Sequence, residues 1–395
     1  MAAVLLMLAM QAARPLSPIE DRPIVVTARR LQDTEAALAA CHARGCPPAE
    51  DVSASLTHAE NQFVAGDYDG ARQTLRAALG RDRRFRRTEP VAVASLYRGR
   101  GNIELHRGKR DTYRLAQTDA LDALRAGLAA DDGRVLAQRI ELADAYAHVA
   151  DANHAVPQYR AVASSARKAG RRDLEARASL KLATMYSARA IADAAYDADA
   201  RRALAVVAAF DDPAFAPFRF AAGCLGAVID EAHGRVGALD RFLAAHRDQQ
   251  MAVPVLLFVP PLDRFVAASS RYRVIGVTGA LTSGISDVDQ WIDLSYWIAP
   301  DGRVSDVGLL RHSARFAEYW ADPVLRQVAA RRYAPLALPA DSPGILRVER
   351  VTRTADRQEM GKRGSIAHFE VLDLTADPAA GPALPRAAAP AVTPG

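Results

Sequence analysis

The stretch from Trp291 to Ser313, WIDLSYWIAPDGRVSDVGLLRHS, decides the reading of this chain. Ile292, Leu294, Tyr296 and Ile298 alternate with Asp293, Ser295 and Trp297, the period-2 pattern of a strand with one face buried. Val304, Val307, Leu309 and Leu310 begin a second strand. Between them Pro300-Asp301-Gly302 supplies a fixed φ, a side chain able to bond its own backbone, and a residue free to adopt φ > 0, so the two strands form a hairpin. A short helix over 319–333 and strands over 344–352 and 365–374 are predicted to follow. The alternation places Asp293, Ser295 and Trp297 on the open face. Nothing in this unit forms a set of reacting groups, so its use is expected to lie in strand edges.

Upstream the pattern changes. From Asp33 to His246 it is helical and rich in alanine and arginine. Taking Ala59 as a small-residue landmark, equivalent small residues recur at Gly101, Ala143, Ala183 and Ala227, in steps of 42, 42, 40 and 44. Such a period is the signature of stacked helical hairpins. Ala59, Gly66, Tyr68, Ala71, Leu75 and Ala78 fall at the spacings of a tetratricopeptide repeat, and this half of the chain resembles that family with a longer unit. The resemblance implies an α-solenoid whose groove binds a protein or peptide. A plain helical bundle is the alternative.

Pro254 and Pro260-Pro261 end the helical pattern, and β-branched and aromatic residues then become frequent. The expected organisation is a signal peptide over 1–13, an extended tail over 14–32, the solenoid over 33–252, a small α+β domain over 253–375 and an Ala/Pro-rich disordered tail over 376–395. The apolar run Ala2 to Met10 followed by Ala12 and Ala13 resembles a secretory signal, although no basic residue precedes it. It is too short to span a bilayer, which takes roughly 20 residues. Export to the periplasm is therefore expected, with no stable membrane insertion; a cytoplasmic signalling adaptor is the alternative if the run is not a signal.

The C-terminal order of hairpin, helix and strand resembles the C-terminal domain of TonB-type proteins. The residues that carry this are Ile298 to Val304 at the turn, Leu309 to Ser313 after it, and Ala330-Arg331-Arg332-Tyr333-Ala334-Pro335. That family leaves a sheet edge uncovered to accept a partner's strand. The resemblance implies strand pairing at Ile345, Arg347, Glu349 and Val351, unless the strand over 365–374 covers that edge. PIVVTARR, from Pro23 to Arg30, resembles the short box by which outer-membrane receptors pair with TonB, making Ile24, Val25, Val26 and Thr27 the donor candidates. The membrane helix and proline-rich spacer of a true energy transducer are missing from the pattern, so force transmission is not carried over.

Cys41 and Cys46, five positions apart, read as a small-loop disulfide in an exported protein, and Cys224 as a buried hydrophobe. Catalytic patterns are not met. His312, Ser313 and Asp306 belong to one strand and its flanks, where neighbours point to opposite faces. The acidic box Val228 to His233 lacks a phosphate loop, since Ile103 and Asp356 stand where its first glycine is required. The histidines form no H-E-x-x-H, and no metal or cofactor is expected. The net charge of +5 is not clustered except in RDRRFRR, Arg81 to Arg87, read as a solvated inter-helix loop, so no nucleic acid is expected. The function read from the sequence is a non-enzymatic envelope adaptor for a protein or peptide partner, of open oligomeric state. An enzyme with a site at the domain junction is the alternative.

Overall fold

The computed structural model describes residues 30–149, 151–260, 262–265, 273–275, 280–283, 290–314, 316, 318–339, 342–355 and 365–375. The expected signal peptide, the tail carrying Ile24 to Thr27 and the segment 376–395 lie outside them. Among the described residues, no helix is long and apolar enough to cross a membrane.

A single helix, α1 (Leu31–Ala43), precedes five helical hairpins: α2 (Pro48–Ala65) with α3 (Tyr68–Asp82), α4 (Pro90–His106) with α5 (Arg110–Arg125), α6 (Gly133–His148) with α7 (Ala152–Lys168), α8 (Arg172–Ala192) with α9 (Asp197–Ala208), and α10 (Ala216–Ala232) with the short α11 (Ala238–Ala245). Each small landmark of the sequence falls in the first helix of a hairpin and is buried: Ala59, Gly101, Ala143, Ala183 and Ala227. The reason is close approach. A Cβ placed on Gly101 would come within 3.1 Å of the Ala116 Cβ on the partner helix. Longer polar residues staple neighbouring hairpins, as where the buried Lys181 ammonium lies 2.9 Å from the Asp144 carboxylate, which also accepts from the Tyr159 hydroxyl. This repeating array is followed by a small antiparallel sheet domain.

The chain then forms β1 (Leu256–Phe258), β2 (Arg273–Ile275), β3 (Ala280–Ser283), β4 (Gln290–Ile298), β5 (Val304–His312), α12 (Glu318–Ala329), β6 (Arg332–Tyr333), β7 (Ile345–Ala355) and β8 (Ser365–Asp373). β1 pairs with β6, and the remaining six strands make one sheet in the order β2-β3-β8-β7-β4-β5. The β4–β5 hairpin is present as read, with Gly302 at φ 80° in the turn. The predicted helix over 319–333 is shorter: α12 stops at Ala329, so that Arg331 turns into the core and Arg332–Tyr333 extends as β6.

α12 covers one face of the sheet. Ile292, Leu294, Tyr296, Ile298 and Val351 pack there against Trp320, Val324 and Val328. The other face meets the helical array, with Trp291 joining a core of Val52, Phe63, Tyr68 and Leu75. Contrary to the expectation of an open face, Asp293 is 0% exposed. The array also touches the sheet domain at its far end, where Ala334 packs with Phe220, Cys224 and Val228.

Candidate functional site

Two features could serve binding: the seam between array and sheet, and the free edge of the sheet. The seam starts from strand alternation. On β7, Arg350, Thr352 and Thr354 point toward the array, while Glu349, Val351 and Arg353 point toward α12, because successive side chains alternate. Arg350 donates to both carboxylate oxygens of Asp293, at 2.7 and 2.9 Å, and to the carbonyls of Phe63 and Val64 at the end of α2, at 2.7 and 2.8 Å. Arg311 bonds the same carboxylate and the same Val64 carbonyl. The last carbonyls of a helix lack partners within it and carry the negative end of its dipole, so two guanidinium groups satisfy them and the buried Asp293 at once. Burial works against the charge of Arg350, but its bonds to Asp293 and its attraction to that carboxylate raise its pKa.

The Arg350 guanidinium stacks 3.9 Å from the Trp291 ring, and Gly66 turns the chain beneath that ring at φ 89°. Farther along the seam the His106 Nδ1 lies 3.1 Å from the Thr352 hydroxyl, and Arg110 donates to Glu370 of β8 at 3.1 Å. Burial pushes the Glu370 carboxyl up to about 7 despite Arg110. Burial, with Arg350 adding to it, pushes His106 down to about 3, and burial does the same to His148. The seam is closed. Around Trp291 and Arg350 the described side chains pack directly against the end of α2.

The α12 face holds a second buried ion pair, in which Arg331 meets Glu349 at 2.7 Å and the Tyr296 hydroxyl donates to Glu349 at 2.6 Å. Burial and the Glu349 charge together hold the Tyr296 hydroxyl far above its usual range. Neither network was singled out beforehand. Signals for them existed as charged residues in β-branched surroundings, Asp293 in β4 and Glu349-Arg350 in β7.

The strand-pairing candidates on β7 need correction. Ile345 to Arg353 pairs with β4 along one side and Glu349 to Ala355 pairs with β8 along the other, so Glu349 and Val351 are interior to the sheet, whereas Ile345 and Arg347 have no β8 partner among the described residues. The strand predicted over 365–374 covers that edge from Glu349 onward. The edge left on this side of the sheet is β5, which among the described residues pairs with β4 alone. It is interrupted: the register shifts twice along it, and Asp306 takes φ 52°, which marks bulges.

Cys41 and Cys46 are joined by a disulfide that ties the end of α1 to the turn before α2. Beside it, burial and the neighbouring Asp51 push the Asp82 carboxyl up to about 6, whereas burial of Asp51 is outweighed by hydrogen bonds from Arg81, His42 and Ser55, which hold it well below the usual range. A cleft of about 560 Å³ opens between α9, α10 and α11, floored by Leu204, Phe220, Gly223 and Phe242. The Val228 to His233 stretch lies in and at the end of α10, with Asp230 bound to Arg201. Among the described residues, no group of three His, Cys, Asp or Glu side chains could hold a metal ion.

No family model and no curated protein matches the chain. Solved structures similar to it include the kinesin light chain TPR-like repeats of Podosopora anserina, at 17% identity and a TM-score of 0.41, over 51% of this chain and 94% of that one. BtubC (BKLC) from P. vanneervenii is similar at 15% identity and a TM-score of 0.43, over 56% of this chain and 91% of that one.

Proposed function

We propose that the protein is a non-enzymatic, exported adaptor that engages protein segments through the free edge of β5, with the helical array as the frame that presents it. The observation that carries this reading is that β5, among the described residues, is bonded on one side only, since an unpaired strand edge is a template for an added strand. Resemblance of the hairpin, helix and strand to TonB-type C-terminal domains supports strand acceptance, with the accepting strand moved from β7 to β5. The Cys41–Cys46 disulfide supports an oxidising compartment.

The donor this geometry favours is the chain's own segment Ile24 to Thr27. Thr34 of α1 meets His58 at 3.1 Å and Asn61 at 3.3 Å, so α1 starts near the end of α2. That end is where Arg311 of β5 bonds Val64. The strand order also runs along the array: β8 meets α5, β7 meets α4 and α2, and β5 meets α2. The next strand position beyond β5 therefore lies toward α1. In sequence the segment lies just before α1.

Hydrogen exchange on the full chain and on a chain lacking residues 22–30 tests this. Loss of the segment is expected to speed exchange in 304–312 by at least about tenfold while 345–355 stays protected. Unchanged exchange in 304–312 would remove the self-pairing, and failure of crosslinked pull-downs from envelope extract to recover any protein would remove the adaptor reading. Mass spectrometry of the mature N-terminus tests export, with a start at Met1 as the result against it.

A further inference from the structure

A separate surface, on the loops that join one hairpin to the next, carries a second inference. Many arginines of the described chain are matched by carboxylates: Arg81 with Asp51, Arg107 with Asp69, Arg134 with Asp132, Arg167 and Arg172 with Glu175, Arg177 with Glu141. The loop after α3 departs from this. Arg83, Arg84, Arg86 and Arg87 are exposed, and no carboxylate within ion-pair distance is found for them among the described residues. Arg84 instead lies over the Phe85 ring at 4.7 Å.

These four do not stand alone on a mobile stalk. The backbone of the loop is turned on itself by bonds from Thr88 and Glu89 to the Phe85 carbonyl, at 3.0 and 2.7 Å. It also packs on the next inter-hairpin turn, since a Cβ on Gly127 would come within 2.6 Å of the Arg87 carbonyl oxygen. That contact brings in the neighbouring hairpin. Arg125 at the end of α5, two positions before Gly127, is likewise exposed, and no carboxylate within ion-pair distance is found for it among the described residues. Five exposed arginines on two adjoining inter-hairpin turns thus form one basic patch. Asp119 and Asp122 of α5 and Glu89 interrupt it.

We propose that this arginine face docks an acidic protein segment, with Arg83 and Arg86 of the loop among its main contacts. Guanidinium forks match carboxylates two hydrogen bonds at a time, and a packed loop loses less freedom on binding than free side chains on a tail. The acidic interruptions disfavour a continuous phosphate backbone, which gains affinity from an unbroken basic track. A short segment with spaced Glu and Asp can place its carboxylates on either side of them. The surface is distinct from β5, so this inference stands whether or not strands pair there.

The test is fluorescence anisotropy of the full chain with a labelled twelve-residue peptide rich in Glu and Asp, at about 50 and 200 mM salt, against single-stranded RNA and anionic phosphatidylserine vesicles as competitors. Peptide binding that weakens at least about tenfold in Arg83→Glu/Arg86→Glu, and is unchanged in Arg202→Glu at an exposed paired arginine, is the expected result. The conservative pair Arg83→Lys/Arg86→Lys should retain most of it. Absence of peptide binding at low salt, equal loss in the Arg202 control, or tighter binding of RNA or vesicles than of peptide would each overturn the proposal. Circular dichroism of every variant shows whether the array remains folded, and an Arg83→Gln/Arg86→Gln chain replaces the charge reversal should that one unfold.

Discussion

The two faces of the sheet are built by the same alternation and buried to the same depth, yet they are held differently. Toward α12, Ile292, Leu294 and Ile298 make an apolar core with one internal ion pair, Arg331 with Glu349. Toward the array, the corresponding positions are Trp291, Asp293, Arg350 and Thr352, and their partners are backbone carbonyls and side chains more than 200 positions away in the chain. The first face holds one domain together. The second makes two domains into one body, and a polar strand face becomes interior only because a second domain brings the carbonyls that satisfy it.

The largest expected effects come from breaking each ion pair by removing its acid. Asp293→Ala leaves Arg350 buried without its carboxylate, and Glu349→Ala does the same to Arg331; each is expected to cost about 3–5 kcal/mol. The comparison predicts a difference in kind. Urea unfolding of Asp293→Ala followed by far-UV circular dichroism should separate into two transitions, array and sheet, whereas Glu349→Ala should lower the sheet without further loosening the seam. Equal, single transitions in both variants would show that the array face is no more a joint than the other.

A smaller effect is expected at the turn beneath Trp291. Gly66 sits at φ 89°, and an added Cβ would lie 2.8 Å from the Trp291 ring. Gly66→Ala should therefore cost roughly 1–3 kcal/mol through strain and displacement of the ring. Gly45, also at positive φ but with nothing near its Cβ position, is the control, and Gly45→Ala should cost only about 1 kcal/mol. Equal urea midpoints for the two variants would deny the ring contact a role.

The smallest net effect concerns pH. His106 and His148 are pushed down to about 3 in the folded chain, so the unfolded chain binds protons first and each histidine costs stability as pH falls through about 6.5. Glu370, at about 7, and Asp82, at about 6, act in the opposite sense, since the folded chain binds their protons first as pH falls. Between about pH 6 and pH 4.5 the two pairs nearly cancel, and below about pH 4 the histidine loss continues, at about 1.4 kcal/mol per pH unit for each proton, joined by carboxyls held low in the folded chain such as Asp51. Glu370→Gln should expose the loss early, with its urea midpoint already falling between pH 6 and 5 where the parent is flat. Parallel profiles would mean that the seam does not titrate.

Much of this architecture was legible in sequence because its causes are local. The landmarks Ala59, Gly101, Ala143, Ala183 and Ala227 announce helix approach wherever they occur, and Pro300-Asp301-Gly302 encodes its turn within three residues. The end of α12 was misplaced because Arg331 obeys a carboxylate on β7 rather than the propensity of its neighbours. Likewise β7 was read as an accepting strand because nothing within 345–352 reveals that β4 and, from Glu349 onward, β8 flank it.

By itself, then, the sequence determined which segments are helical hairpins, where the Trp291 to Ser313 hairpin turns, and that Cys41 and Cys46 stand within bonding reach. Tertiary structure alone decided that Asp293 is buried, that the free edge belongs to β5, and that Arg350 joins two domains. Periodicity and turn chemistry act over a few residues, whereas burial of a charge and pairing of a strand depend on what packs beside them from far along the chain.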